Sequence, residues 1–273
     1  MFSILKNLML IIILFGCGEG ATSNQIEETK NPEQLVLPTK RDVWIFIMAG
    51  QSNMAGRGTV EPQDKIENDR ILTINSGNQI IVAKEPLHFY EPSNAGLDCG
   101  MSFGEEMLKH VPENISLLLI PTAVGGSSIE QWINDENHRG VKLLSNFRLR
   151  LQSALKYGEL KGILWHQGEA NAHAEETIQS YQSNMKILFT KFRDICKIES
   201  LPIVIGKLGA YSDNQGSWDR INASIIAYGL SDEFCEVVET SDLNDRGDRI
   251  HFNSEGQRSL GKRYAQTISE IIN

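Results

Sequence analysis

A chain of 273 residues with 41% hydrophobic and 22% charged residues carries enough apolar surface for one sizeable core, and no repeat or composition shift asks for two. That balance excludes a disordered chain and a polytopic membrane protein. The net charge of −9, without a basic run, argues against nucleic acid as a partner.

At the N-terminus, Lys6 precedes an apolar run from Leu8 to Phe15 that is too short to span a bilayer, which is the pattern of a signal peptide. The run closes on Leu14, Phe15, Gly16 and Cys17, which resembles the lipobox of bacterial lipoproteins, where the cysteine is diacylated on sulfur and becomes the new N-terminus. An ordinary secretory leader is the other reading, and the bulky Phe15 is the departure from the pattern. With Cys17 lipidated, the protein is expected to be exported to the bacterial cell envelope and held to the membrane by its anchor alone. The residues up to Lys40 lack apolar periodicity and read as a flexible spacer. The expected organisation is a leader over 1–16, a spacer over 17–40 and one domain over 41–273.

Within that domain, Val43 to Ala49 is a nearly unbroken apolar run, as in a strand buried on both faces of a parallel sheet. Similar runs recur at Ser116 to Ile120, Gly162 to Trp165, Pro202 to Ile205 and Cys235 to Val238. Helical patterns lie between and after them, at Ser102 to His110, Val141 to Tyr157, Thr177 to Ile198, Trp218 to Leu230 and Ser254 to Ile271. Ser102 with Glu105 and Ser254 with Gln257 have capping-box spacing, and Gly158 is placed to end the helix before it. Strands alternating with helices predict a three-layer α/β/α sandwich around a central five-stranded parallel sheet. Cys99, Cys196 and Cys235 show no paired ligand spacing and allow at most one disulfide.

Polar clusters follow several of these runs, where a doubly wound sheet places its ligands. The first is Gly50 to Gly58, in which Ser52, held in a tight turn after a buried strand, has the exposed hydroxyl and free amide that an acyl-transfer nucleophile needs. A plain glycine-rich turn capping a helix is the alternative. Two middle clusters, Ala123 to Ser128 and His166 to Asn171, offer glycine and side-chain amides as donors to a developing oxyanion; the alternatives are a phosphate-cradling loop or plain turn for the first and a buried polar network for the second. The last is Asp248, Arg249, Ile250, His251 and Phe252, where an Asp three residues ahead of a His reaches its Nδ1 and fixes the tautomer. Alone, such a pair is more often a surface turn.

Jointly, GQSNMAGRG at Gly50–Gly58, GGSSIEQW at Gly125–Trp132, WHQGEAN at Trp165–Asn171 and DRIHF at Asp248–Phe252 resemble the SGNH hydrolases, and within them the sialate O-acetylesterase domain and carbohydrate esterase family six. The resemblance runs from about Val43 to the C-terminus. It implies Ser52 as nucleophile, His251 as general base and then acid, and Asp248 as its orienting carboxylate. The implied oxyanion donors are the amide of Ser52, an amide at Gly125 or Gly126, and the side-chain amide of Gln167, which stands where many SGNH enzymes carry Asn. Glu169 is a supporting or alternative carboxylate, expected to brace loops through backbone or Arg57. His166 is expected to be structural, and Asn53 to fix the nucleophile turn. Trp132, Trp218 and Tyr211 suit either sugar stacking or packing.

The resemblance implies a serine esterase that removes acetyl groups from acetylated oligo- or polysaccharide, of acetylxylan or sialate type, through an acetyl-serine intermediate. Such chemistry needs no metal or cofactor, because a neighbouring base activates the hydroxyl. Other acyl substrates have less support, since no long apolar loop suggests an acyl-chain channel. A non-catalytic glycan-binding lipoprotein on an inherited esterase fold is the reading from another class, disfavoured by the joint presence of Ser52, Asp248, His251 and Gln167.

Overall fold

The computed structural model describes residues 37–272. Expectations for the leader, Cys17 and most of the spacer therefore lie outside the described residues. In chain order the elements are β1 (Val43–Gly50), α1 (Ser52–Ala55), β2 (Ile71–Ile74), β3 (Ile80–Val82), α2 (Gly100–Met107), β4 (Ser116–Pro121), α3 (Ile129–Ile133), β5 (Asn137–His138), β6 (Val141–Lys142) and α4 (Leu143–Ala154). They continue with β7 (Glu159–His166), α5 (Glu175–Cys196), β8 (Ile203–Gly206), α6 (Gln215–Gly229), β9 (Cys235–Val238) and α7 (Ser254–Ile272).

The unbroken apolar run of β1 is explained by what covers it. Ile45, Ile47 and Ala49 pack with Trp132, Phe147, Phe189 and Ile221 from α3 to α6, whereas Phe46 and Met48 pack with Phe103, Leu260 and Ile268 from α2 and α7. Alternate residues of one strand thus feed two cores, which makes β1 the centre of a three-layer sandwich. Full burial of each such side chain contributes about 1.5–3 kcal/mol.

The main sheet has the order β3-β2-β4-β1-β7-β8-β9. All its pairings are parallel except that of β2 with β3. The sheet therefore has seven strands and not the expected five. Of the two additions, β2 (Ile71–Ile74) is interrupted by Thr73 and β3 has three residues, so neither makes a distinct apolar run. From β1 the chain builds β2, β3 and β4 on one side and then crosses to β7 on the other. The loops after β4, β1 and β7 consequently open side by side at the carboxyl edge, the position of a ligand crevice in such sheets.

Several expected boundaries move. Helix α2 starts at Gly100, whose amide donates to Asp98 Oδ1 at 2.7 Å, so Ser102 lies inside the helix and does not cap it. The segment before α4 is a hairpin, because Arg139 and Gly140 both take left-handed backbone angles (φ 50° and 84°) and fold β5 onto β6. That helix then ends at Ala154, short of Gly158. At α7 the cap is Asn253, whose Oδ1 accepts from the Gly256 amide at 2.7 Å; Gln257 instead donates its side-chain amide to Asn53 O at 3.0 Å, under the Ser52 turn. Cys99, Cys196 and Cys235 are buried free thiols.

Candidate active site

The Ser52 turn is made possible by the close approach of β1 and β7. Gly50 has φ +135°, and a Cβ there would sit 2.0 Å from His166 O, so the backbone tolerates only glycine. The next amide, Gln51 N, donates to His166 O at 2.9 Å and pins the turn to β7. Ser52 then opens the four-residue helix α1. Its backbone N–H, in the first helical turn, has no intramolecular partner among the described residues.

His251 reaches this turn from the loop between β9 and α7. Asp245 Oδ2 accepts from the amides of Gly247 (2.8 Å) and Arg249 (2.7 Å), and Arg249 adopts the left-handed conformation at φ 57°. The resulting tight turn lets Asp248 Oδ1 accept from the amides of Ile250 and His251 while Oδ2 meets His251 Nδ1 at 2.7 Å. Burial raises the Asp248 carboxyl, but hydrogen bonds from His251 and the two amides outweigh it and hold the group below its ordinary range, in the ionised form. His251 Nε2 lies 2.9 Å from Ser52 Oγ. The structure therefore brings Ser52, His251 and Asp248 together in one hydrogen-bonded line.

Asn53 sets the alignment of that line. Its side-chain Nδ2 donates to Ile250 O at 3.0 Å and its Oδ1 accepts from the Phe252 amide at 3.0 Å, clamping the residues on either side of His251. The same Nδ2 donates to Glu169 Oε1 at 2.5 Å. Glu169 thus braces the loops through Asn53 and not through Arg57, which pairs with Glu91. Burial raises the Glu169 carboxyl, yet His166 and Asn53 bring it net below the ordinary value. No hydrogen bond or ion pair joins Glu169 to His251. His166 is fully buried, 3.6 Å from Glu169 Oε1 and edge-on to Phe252, so it does not line the cleft.

Two expected oxyanion donors are otherwise engaged. The side chain of Gln167 is fully buried, with Nε2 within reach of Asn171 Oδ1 (2.8 Å), Gln51 Oε1 (3.1 Å) and Ser127 O (3.2 Å), while Oε1 accepts from Tyr181 OH. An amide has two protons, and three acceptors already surround them, so Gln167 ties loops together and offers nothing to the cleft. The Gly125 amide donates to Glu91 Oε2 at 2.6 Å. Gly126, at φ 74°, keeps an amide without a partner among the described residues. The donors left for an oxyanion are the amides of Ser52 and Gly126, both bordering the same cleft.

That cleft has a volume of about 640 Å³. Beside Arg57 and Ile250, which lie within the first and last motifs, its wall includes Asn94, Arg139, His173 and Arg246. These come from irregular segments and a hairpin turn, where no periodic pattern marks them in the sequence. Trp132 and Trp218 are buried, and Tyr211 packs on Trp218 and Phe252, so all three serve packing and none borders the cleft.

The family described as carbohydrate esterase, sialic acid-specific acetylesterase matches residues 42–270. A probable carbohydrate esterase of Arabidopsis thaliana is 30% identical over 240 residues, covering 81% of this chain and 88% of the relative. An X-ray structure of an Arabidopsis thaliana protein superposes with a TM-score of 0.75 at 28% identity, over 84% of this chain and 99% of that one. NanS (TM-score 0.68, 16% identity, 86% and 98% covered) and a carbohydrate acetylesterase from Xanthomonas citri (0.63, 20%, 85% and 56%) share the fold. The sandwich, with its polar loops gathered at the carboxyl edge of β4, β1 and β7, is that of the SGNH-type carboxylic ester hydrolases. The chain belongs to the carbohydrate esterase family of sialic acid-specific acetylesterases.

Proposed function

We propose that the protein is a serine esterase that removes O-acetyl groups from acidic sugars through an acetyl-serine intermediate. The observation that carries this reading is the line Asp248 Oδ2, His251, Ser52 Oγ, with separations of 2.7 and 2.9 Å, at the floor of an open cleft. Ser52 Oγ attacks the acetyl carbonyl as its proton passes to His251 Nε2. The amides of Ser52 and Gly126 receive the oxyanion. His251 returns the proton to the departing sugar oxygen, which leaves acetyl-Ser52. Water then attacks the acetyl group, giving its proton to His251. Collapse releases acetate, and the proton returns to Ser52 Oγ.

The acidic class is supported by the cleft wall. Arg139 and Arg246 border it about half exposed, each with guanidinium N–H groups beyond those that meet Glu91, Asp248 and Arg57 O, and none of its described lining residues is Phe, Tyr or Trp. Neutral polysaccharides are commonly held by stacking on aromatic faces, whereas a carboxylate is suited to guanidinium groups. Acetate release from an O-acetylated sialoside is expected to exceed that from acetylated xylan and mannan by at least about tenfold in kcat/KM, the equivalent of one charge-assisted contact. A preference for xylan would remove the acidic reading. Detection of no acetylated Ser52 peptide after rapid acid quench of turnover would count against the intermediate.

The anchor proposed at Cys17 extends this reading to the cell envelope, on the support of the Leu14 to Cys17 sequence. Cys17→Ala is expected to move the protein from the membrane to the soluble fraction of a bacterial host, because two acyl chains hold a protein far more firmly than one. Equal distribution of parent and variant would overturn the anchor.

A further inference from the structure

We propose that Glu91 is a positioning residue for the oxyanion loop: it holds the Gly125 amide back from the cleft so that the Gly126 amide is presented there. The inference rests on the esterase reading above. Glu91 lies on the irregular segment between β3 and α2 and belongs to none of the motifs that mark the site in the sequence. Yet its carboxylate gathers three separate parts of the cleft wall. Oε2 accepts from Arg57 Nη2 at 2.8 Å, at the end of the Ser52 motif, and from the Gly125 amide at 2.6 Å, in the loop after β4. Oε1 pairs with Arg139 at the tip of the β5–β6 hairpin. From the same hairpin, His138 Nε2 lies 2.9 Å from Gly125 O, so Gly125 is held by both its N–H and its carbonyl.

The fit around Gly125 is tight. A Cβ there would lie 2.2 Å from Arg57 Nη2 and 2.5 Å from Glu91 Oε2, so the Arg57–Glu91 pair packs directly on the glycine Cα. With both polar groups of Gly125 fixed, the following peptide has a defined direction. Gly126, at φ 74°, borders the cleft and its N–H has no partner among the described residues. The Glu91 side chain is 7% exposed. Burial raises its carboxyl, but Arg57, the Gly125 amide and Arg139 bring it net below the ordinary value, so the acceptor is an ionised carboxylate with short, charge-assisted bonds. An oxyanion hole works through donors already aimed where charge develops. Glu91 supplies that aim from behind the loop, without touching the substrate.

Two substitutions separate this role from general bracing. Glu91→Ala removes the acceptor for the Gly125 N–H, whereas Glu91→Gln keeps a carbonyl oxygen there and removes the charge. With p-nitrophenyl acetate as the probe, Glu91→Ala is expected to lower kcat by roughly 30-fold with KM within about twofold, somewhat less than outright loss of an oxyanion donor. Glu91→Gln is expected to recover kcat to within about fivefold of the parent. Amide exchange followed by NMR gives a readout independent of turnover: the Gly125 proton should be protected in the parent and in Glu91→Gln, and exchange at least about tenfold faster in Glu91→Ala. A kcat for Glu91→Ala within twofold of the parent would overturn the proposal. So would equal losses in Ala and Gln, which would make charge and not the amide anchor the cause. If Glu91→Ala does not fold, a loss above about tenfold in Glu91→Gln, or an unprotected Gly125 amide in the parent, has the same force. A parent without esterase activity but with a protected Gly125 amide would instead defeat the functional reading and leave the anchor standing.

Discussion

Asp248→Asn is expected to cost at least about a hundredfold in kcat with little change in melting temperature. The substitution keeps an oxygen to accept from the amides of Ile250 and His251, so the turn should persist. What it replaces is the acceptor 2.7 Å from His251 Nδ1. An amide NH2 in that position favours the tautomer that carries its proton on Nε2, facing Ser52, and the base is lost. Glu169→Gln serves as the contrast. Its carbonyl oxygen still accepts from Asn53 Nδ2, so the clamp on Ile250 and Phe252 should hold, and activity should fall by less than about tenfold with some loss of stability. The rate of Ser52 labelling by an organophosphonate distinguishes the two carboxylates, since labelling needs the activated hydroxyl and no sugar. Labelling lost in Glu169→Gln and kept in Asp248→Asn would exchange their roles.

Gln167→Ala should act on stability before it acts on catalysis. Removing the amide leaves acceptors at Gln51 Oε1, Asn171 Oδ1 and Ser127 O with one partner fewer, in a fully buried place. An unpaired buried polar group costs about 1–3 kcal/mol, and each kcal/mol lowers the melting temperature of a domain this size by roughly 2–4 °C. A drop of several degrees is therefore expected. Because the Gln51 side chain also accepts from the Ala170 amide, the cleft wall should loosen and KM should rise. An unchanged melting temperature with a fall in kcat of about a hundredfold at constant KM would mean that Gln167 turns into the oxyanion hole after all.

The sequence by itself determined the features that depend on neighbours along the chain. Runs such as Val43 to Ala49 declare doubly buried strands because both faces of β1 meet helices, and the helices that cover them carry a 3.6-residue period. The Asp248 to His251 contact spans three residues, so one turn suffices to make it. Two strands were hidden because the edge strand β3 has only three residues, and because Thr73 breaks the apolar run of β2 while bonding to Leu119 O.

Only the tertiary structure decided which polar groups face the cleft and which are consumed in holding it. Gln167 and the Gly125 amide stand in the right motifs to serve an oxyanion, but Asn171, Gln51 and Ser127 surround the first, and Glu91 takes the second. Glu91, Arg139 and His138 carry no sequence signal, since they sit in an irregular segment, a two-residue turn and the end of a two-residue strand, held by contacts between Arg139 and Glu91 and between His138 and the loop after β4. A donor proton serves one good hydrogen bond. Whether a given donor remains free is a property of everything packed around it, and the order of residues along the chain does not contain that information locally.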